Sequence, residues 1–117
     1  YFSGSLDRHA RAASTHLSLL RILMKLYQIN QSQYPQSVEL DWTESLIEGD
    51  AVFLFEAGVL RLVTQAPTLE TLSQKKVSIY FRQQDLEAYG LKPSIGNGIS
   101  DLEWVGLTQQ HSKIVSW

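Results

Sequence analysis

Residues 47–62 read IEGDAVFLFEAGVLRL, and the five apolar residues Ala51–Phe55 at its centre decide the fold. Their hydrophobicity is continuous rather than alternating, which predicts a strand covered on both faces, as in a parallel sheet packed between helices. Gly49-Asp50 reads as the turn that feeds this strand. Glu56 to Val59 reads as the turn that leaves it, with Gly58 allowing the backbone a positive φ. Glu56 thus falls at the carboxyl end of a parallel strand, where open α/β sheets place their ligand sites. Asp50 falls at the other end. Five intervening residues at about 3.3 Å each separate the two carboxylates too far for shared acid-base chemistry.

Working outward, Leu26–Ile29 and Val77–Phe81 are two more short apolar runs, spaced from the central one as right-handed βαβ crossovers require. A weak fourth strand is predicted over Ile95–Ser100, which contains Gly96-Asn97-Gly98, and a fifth over Ile114–Trp117. Between them lie helix signals. Ser37 is a candidate N-cap for a helix over Val38–Ile47, with Gly49 as its stop. On that helix Val38, Trp42 and Leu46 share one face, while Leu40 and Ile47 lie nearly opposite. The first face packs on the sheet; the second is either open to a partner or covered within the monomer. A short helix is expected after Pro67-Thr68, through Leu69 and Leu72, and another from near Asp85 to Gly90. Ser100-Asp101-Leu102-Glu103 is a capping-box pattern ahead of Trp104, Val105 and Leu107. These elements predict an α/β fold: three layers, α/β/α, with a mostly parallel five-stranded sheet.

The chain starts with Tyr1, and its one methionine is Met24. Residues 1–23 are expected to be a leader foreign to the domain, with an extra N-terminal helix as the alternative, since Ala10, Ala13, Leu17, Leu20 and Met24 fall at three-four spacing. Residues 24–117 then form the domain. The formal charge of −2 hides an asymmetry, because residues 24–117 carry seven basic and eleven acidic side chains. Nonspecific nucleic-acid binding rests on clustered Lys and Arg, so direct binding is not expected of this acidic body. No segment reaches the roughly 18 apolar residues of a membrane span, and no signal-peptide pattern is present. With no cysteine among 117 residues, a reducing, cytoplasmic setting is expected.

The same absence removes disulfides, thiolate metal sites and any cysteine nucleophile or sulfur carrier from these residues. His9, His16 and His111 stand in no HxxxH or HExxH spacing, so neither metal nor cofactor is expected. His111 follows the last helix, where a cation is favoured. Gly96-Asn97-Gly98 is a turn rather than a phosphate cradle, and no serine stands in GxSxG or SxxK.

Four stretches nonetheless form a pattern. LYQINQS (26–32), GDAVFLFEAGV (49–59), VSIYFRQQDLEAYGL (77–91) and LEWVGLTQQHSKIVSW (102–117) follow one another in the order seen in the TusB/DsrH family, small proteins of the DsrE/DsrF/DsrH group that serve bacterial sulfur relay. From Met24 onward the chain resembles that family, and TusB more than DsrH. The resemblance implies a complex with TusC-like and TusD-like subunits, a dimer of heterotrimers that receives persulfide sulfur from TusA and passes it through TusE toward 2-thiolation of the tRNA wobble uridine. DsrH-type members can carry a cysteine in the first helix. This chain has none there, so the resemblance implies a noncatalytic, structural subunit, with self-association expected when it is expressed alone. Candidate partner contacts are Leu40, Ile47, Glu56, Trp104 and Trp117. Two alternatives stand beside this: a DsrH-like subunit of a sulfur-oxidation complex, and a small-molecule-binding or catalytic α/β domain whose strand-exit site uses Asn30, Ser32, Glu56 and Asn97.

Overall fold

The computed structural model describes residues 24–116. Residues 1–23 and Trp117, with the expectations attached to them, lie outside the described residues. Five strands form one sheet in the order β4-β3-β2-β1-β5: β1 Lys25–Ile29, β2 Ala51–Leu54, β3 Ser78–Arg82, β4 Asn97–Ile99 and β5 Lys113–Ser116. Every pairing is parallel, with Leu26 beside Ala51 and Ile114, and Ala51 beside Ser78. All four residues of β2 are buried, as continuous hydrophobicity requires of the middle strand.

Alternate residues of the strands supply two cores. On one face Tyr27, Ile29, Val52, Leu54, Ile79 and Phe81 meet Trp42 and Leu46 from α1 (Gln36–Ser45) and its flank. Leu62 from α2 (Arg61–Thr64), Leu69 and Leu72 from α3 (Ala66–Gln74) and Leu86 from α4 (Gln83–Tyr89) complete that core. On the other face Leu26, Ala51, Phe53 and Ile99 meet Leu107 and Trp104 from α5 (Asp101–Gln110). The first four strands step across the sheet in one direction under four helices, and the return from β4 to β5 carries α5 over the opposite face. Val52, Phe53 and Leu54 of β2 each contribute about 1.5–3 kcal/mol relative to exposure.

Two local expectations need correction. The first helix spans Gln36–Ser45 rather than Val38–Ile47, and Ser37 is not its cap. Its opening amides are taken by the Pro35 carbonyl, which accepts from Val38 N at 2.9 Å and Glu39 N at 3.0 Å. It ends early because Leu46 turns extended and is buried, and the Ile47 amide donates to Asp50 instead of continuing the helix. Gly58 does not take a positive φ; Glu56 does, at 50°. Residues Glu56–Leu60 form a tight 3-10 helix that runs directly into α2, and glycine is needed at 58 because a Cβ there would overlap the Ile29 carbonyl. The capping box at Ser100 forms in full, with Glu103 N donating to Ser100 Oγ and Ser100 N to Glu103 Oε1.

Candidate functional site

At the carboxyl end of β3 the protein's own side chains bridge one another. β3 delivers Arg82 to this rim, and its guanidinium grips Asp101 at the start of α5 through Nε–Oδ1 at 2.7 Å and Nη2–Oδ2 at 3.0 Å. Its Nη1 also reaches Asp85 at 3.4 Å, and the other oxygen of Asp85 accepts the Glu56 amide at 2.7 Å. Hydrogen bonding by Arg82 holds the Asp101 carboxyl below its usual range against a smaller opposing effect of desolvation. The same bond to Asp101 raises the Arg82 guanidinium further above its ordinary value. The Glu56 amide is thereby fixed where the backbone turns left-handed, a conformation that costs a non-glycine residue about 1–2 kcal/mol.

The other strand-exit candidates do not converge with Glu56. Asn30 is tied to Tyr34, whose hydroxyl donates to Asn30 Oδ1 at 3.2 Å and accepts from Asn30 N at 3.2 Å. Ser32 is exposed on the loop beyond. Asn97 pairs with Tyr80 at the start of β4, and so begins the strand rather than ending it. Asn30, Ser32 and Glu56 line none of the described cavities; Asn97 borders one of about 320 Å³ with Gly96 and Lys76. The cavity of about 400 Å³ lies beside α5, between Met24, Ala51, Ser78, Tyr80, Leu107 and His111.

Asp50 and Glu56 do stand at opposite ends of β2. Asp50 is buried at the entry, where Oδ1 accepts from Lys25 N at 2.9 Å and Oδ2 from Ile47 N at 3.0 Å, with Lys25 Nζ at 3.5 Å. Its role is wider than a turn: it joins β1, β2 and the end of α1. His111 bonds the Leu107 carbonyl through Nδ1 at 2.8 Å, within the last turn of α5. Among the described residues no group of three His, Cys, Asp or Glu is placed to hold a metal.

The sequence reading missed a polar cluster built around the buried Arg61. Arg61 has no exposed surface and meets Glu39 through Nη1 at 2.6 and 3.0 Å, Gln65 at 3.1 Å and the Gln31 carbonyl at 2.8 Å. Its guanidinium carbon lies 5.1 Å from the Tyr34 ring centre and 5.3 Å from that of Trp42. Trp42 Nε1 adds a 2.6 Å bond to Glu39. Burial alone would raise the Glu39 carboxyl, but bonds from Arg61 and Trp42, the Arg61 charge and Gln65 together bring it below its ordinary value. Glu39 lies on the predicted first helix, but Arg61 opens α2, a short helix the sequence reading did not include, and nothing in their spacing announces that they meet.

Of the candidate partner contacts, Leu40 and Ile47 are half or more exposed, at 50% and 61%. The Glu56 side chain is exposed. Trp104 is half-buried and already engaged, with Nε1 donating to Gln28 at 2.7 Å and its ring 4.5 Å from Phe53 and 5.0 Å from Phe55. Leu102 and Val105 on α5 are more exposed than Trp104 and were not singled out.

A five-stranded parallel sheet with a filled strand-exit rim fits many α/β proteins, and comparison narrows them. The model of the DsrH family, described as DsrH like protein, matches residues 31–114, from the β1 exit into β5. The chain belongs to the DsrH-like family. Its relatives include Protein TusB of Pectobacterium parmentieri, 30% identical over 90 residues that make up 74% of this chain and 95% of that protein. Protein TusB of Escherichia coli (strain SE11) and of Shigella boydii serotype 18 are each 35% identical over 75 residues, 62% of this chain and 79% of theirs. Membership in the DsrH-like family supports a role in sulfur relay. Among the described residues no helix is long and apolar enough to cross a membrane.

Proposed function

We propose that the chain is a noncatalytic structural subunit of a TusBCD-type sulfurtransferase complex in the cytoplasm. That complex would relay persulfide sulfur toward 2-thiolation of the tRNA wobble uridine. The observation that carries this reading is chemical: a member of a sulfur-relay family presents no thiol in its 117 residues. Persulfide transfer needs a thiolate to attack and hold the sulfur. The reactive cysteine therefore comes from another subunit, a TusD-like one, and this chain contributes surface and rigidity. The strand-exit rim agrees, since Arg82, Asp85 and Asp101 spend their charges on one another rather than around an open pocket. TusA and TusE would meet the assembled complex.

The contacts proposed for TusC-like and TusD-like subunits are Leu40, Ile47, Glu56, Trp104 and Trp117. Relatives called TusB, together with the missing cysteine, favour the thiolation pathway over a DsrH-like part in sulfur oxidation. Native mass spectrometry of the chain expressed with TusC-like and TusD-like proteins tests the reading. A stable stoichiometric complex supports it. A clean monomer that ignores both proteins, or a ligand that raises the melting temperature by occupying the strand exits, overturns it.

A further inference from the structure

The outward side of α1 and the turn that follows it each expose an aliphatic side chain. Leu40 on α1 and Ile47 two residues past its end are 50% and 61% exposed, while Trp42 and Leu46 are buried. Ile47 is not slack: its amide donates to the buried Asp50 carboxylate at 3.0 Å, and its carbonyl accepts from Asp50 N at 3.0 Å. The protein therefore holds an aliphatic side chain in water on a pinned backbone.

The charges on α1 itself have one sign. α1 contains Glu39, Asp41 and Glu44 and no basic residue. Glu39 points to buried Arg61, whereas Asp41 and Glu44 are exposed and make no ion pair among the described residues. Glu44 also sits in the last turn of the helix, where the dipole disfavours an anion. The nearby Lys25 ammonium does not relieve it, being turned to the Ser45 carbonyl at 2.7 Å and to Asp50. Glu48, just past the helix, has only Lys76 at 3.5 Å, and both are more than two-thirds exposed. Such a pair is weak and screened by salt.

An aliphatic pair with unpaired acids at an unfavourable helix end is poor use of a surface that stays in water. It fits a surface that meets cations. We propose that the outward face of α1 and the turn that follows it, presenting Leu40 and Ile47 with Asp41, Glu44 and Glu48, docks a partner protein whose contact patch is apolar with Lys or Arg around it. The proposal rests on the structural-subunit reading and deepens it: of the exposed apolar faces, this one carries the charge that selects a partner and draws it in. The exposed Leu102 and Val105 on α5 lack such a rim of unpaired acids, because Asp101 is taken by Arg82 and Glu103 by the Ser100 cap.

The test uses the chain coexpressed with TusC-like and TusD-like subunits. Leu40→Ser with Ile47→Ser, and separately Asp41→Lys with Glu44→Lys, should each weaken assembly by about tenfold or more. Wild-type assembly should weaken with added salt, and the charge-reversed variant should lose that dependence. Because all four side chains are exposed, circular dichroism and melting temperature of the isolated variants should stay near wild type. Leu102→Ser with Val105→Ser is the control and should assemble normally. Wild-type assembly that survives both α1 variants, or that is broken by the α5 variant alone, overturns the docking face and leaves the subunit reading standing. A wild-type chain that assembles with neither subunit overturns both.

Discussion

Arg61 and Glu39 lie 22 residues apart and meet at 2.6 Å, the arginine without any exposed surface and the glutamate partly buried at 19% exposure. A buried charge is tolerated when its partner and hydrogen bonds are in place, and becomes costly when either is removed. Tyr34 and Trp42 flank the guanidinium, so the pair joins α1 to α2 through both charge and ring faces.

Breaking the pair from either side should therefore be expensive. Glu39→Gln leaves the Arg61 charge in the interior and should cost about 3–5 kcal/mol; Arg61→Met should cost less, because the partly exposed Glu39 carboxylate keeps its bonds from Trp42 and Gln65. Urea unfolding at neutral pH measures it. A loss below about 1 kcal/mol would show that the pair is incidental to the fold.

The same pair makes stability depend on acid. The Glu39 carboxyl titrates lower in the folded chain than in the unfolded one. Its contribution is therefore complete above the unfolded value and disappears as the pH falls through the lower folded one. Unfolding curves of wild type and Glu39→Gln taken from neutral pH into acid should converge below the ordinary glutamate range. A gap that stays constant would contradict the assignment.

Arg82 controls the titration of Asp101. Arg82→Gln removes the bidentate grip and should let the Asp101 carboxyl rise toward its ordinary value, as read by carbon-detected NMR titration. With its neighbour Asp85 no longer bridged, the Glu56 amide should also exchange with solvent faster.

Two glycines should respond in opposite directions to alanine. Gly58→Ala drives a methyl into the Ile29 backbone and should destabilise the chain by several kcal/mol, in the upper range for single substitutions. Gly106 lies inside α5 with nothing near the position a Cβ would take. Gly106→Ala should stabilise by about 0.5–1 kcal/mol through helix propensity. Thermal unfolding of the two variants side by side decides both.

Much of the architecture was legible because it is periodic. Ala51–Leu54 is apolar at every position, and a strand buried on both faces needs that. Ser100 and Glu103 form a local cap that depends on three residues of spacing alone. The ends of α1 were less legible, since Pro35 opens the helix with its carbonyl and Asp50, which sets the path of Ile47, comes from beyond it. The positive φ was assigned to Gly58 because glycine tolerates it best; the structure gives it to Glu56, whose amide Asp85 holds, and keeps Gly58 for a close approach to β1.

Strand number, layer order and the absence of a thiol from these residues follow from residue type and spacing. Tertiary structure decided which charges meet. Arg61 with Glu39, Arg82 with Asp101, and Asp85 with the Glu56 amide are all pairings across elements, created when the crossovers stack helices on the sheet. Local pattern records what each segment buries, because burial is a property of one segment's period. Pair identity depends on the packing of two segments, so only the folded chain shows that Arg82 at the β3 exit is bridged to Asp101 while Leu40 and Ile47 stand in the open.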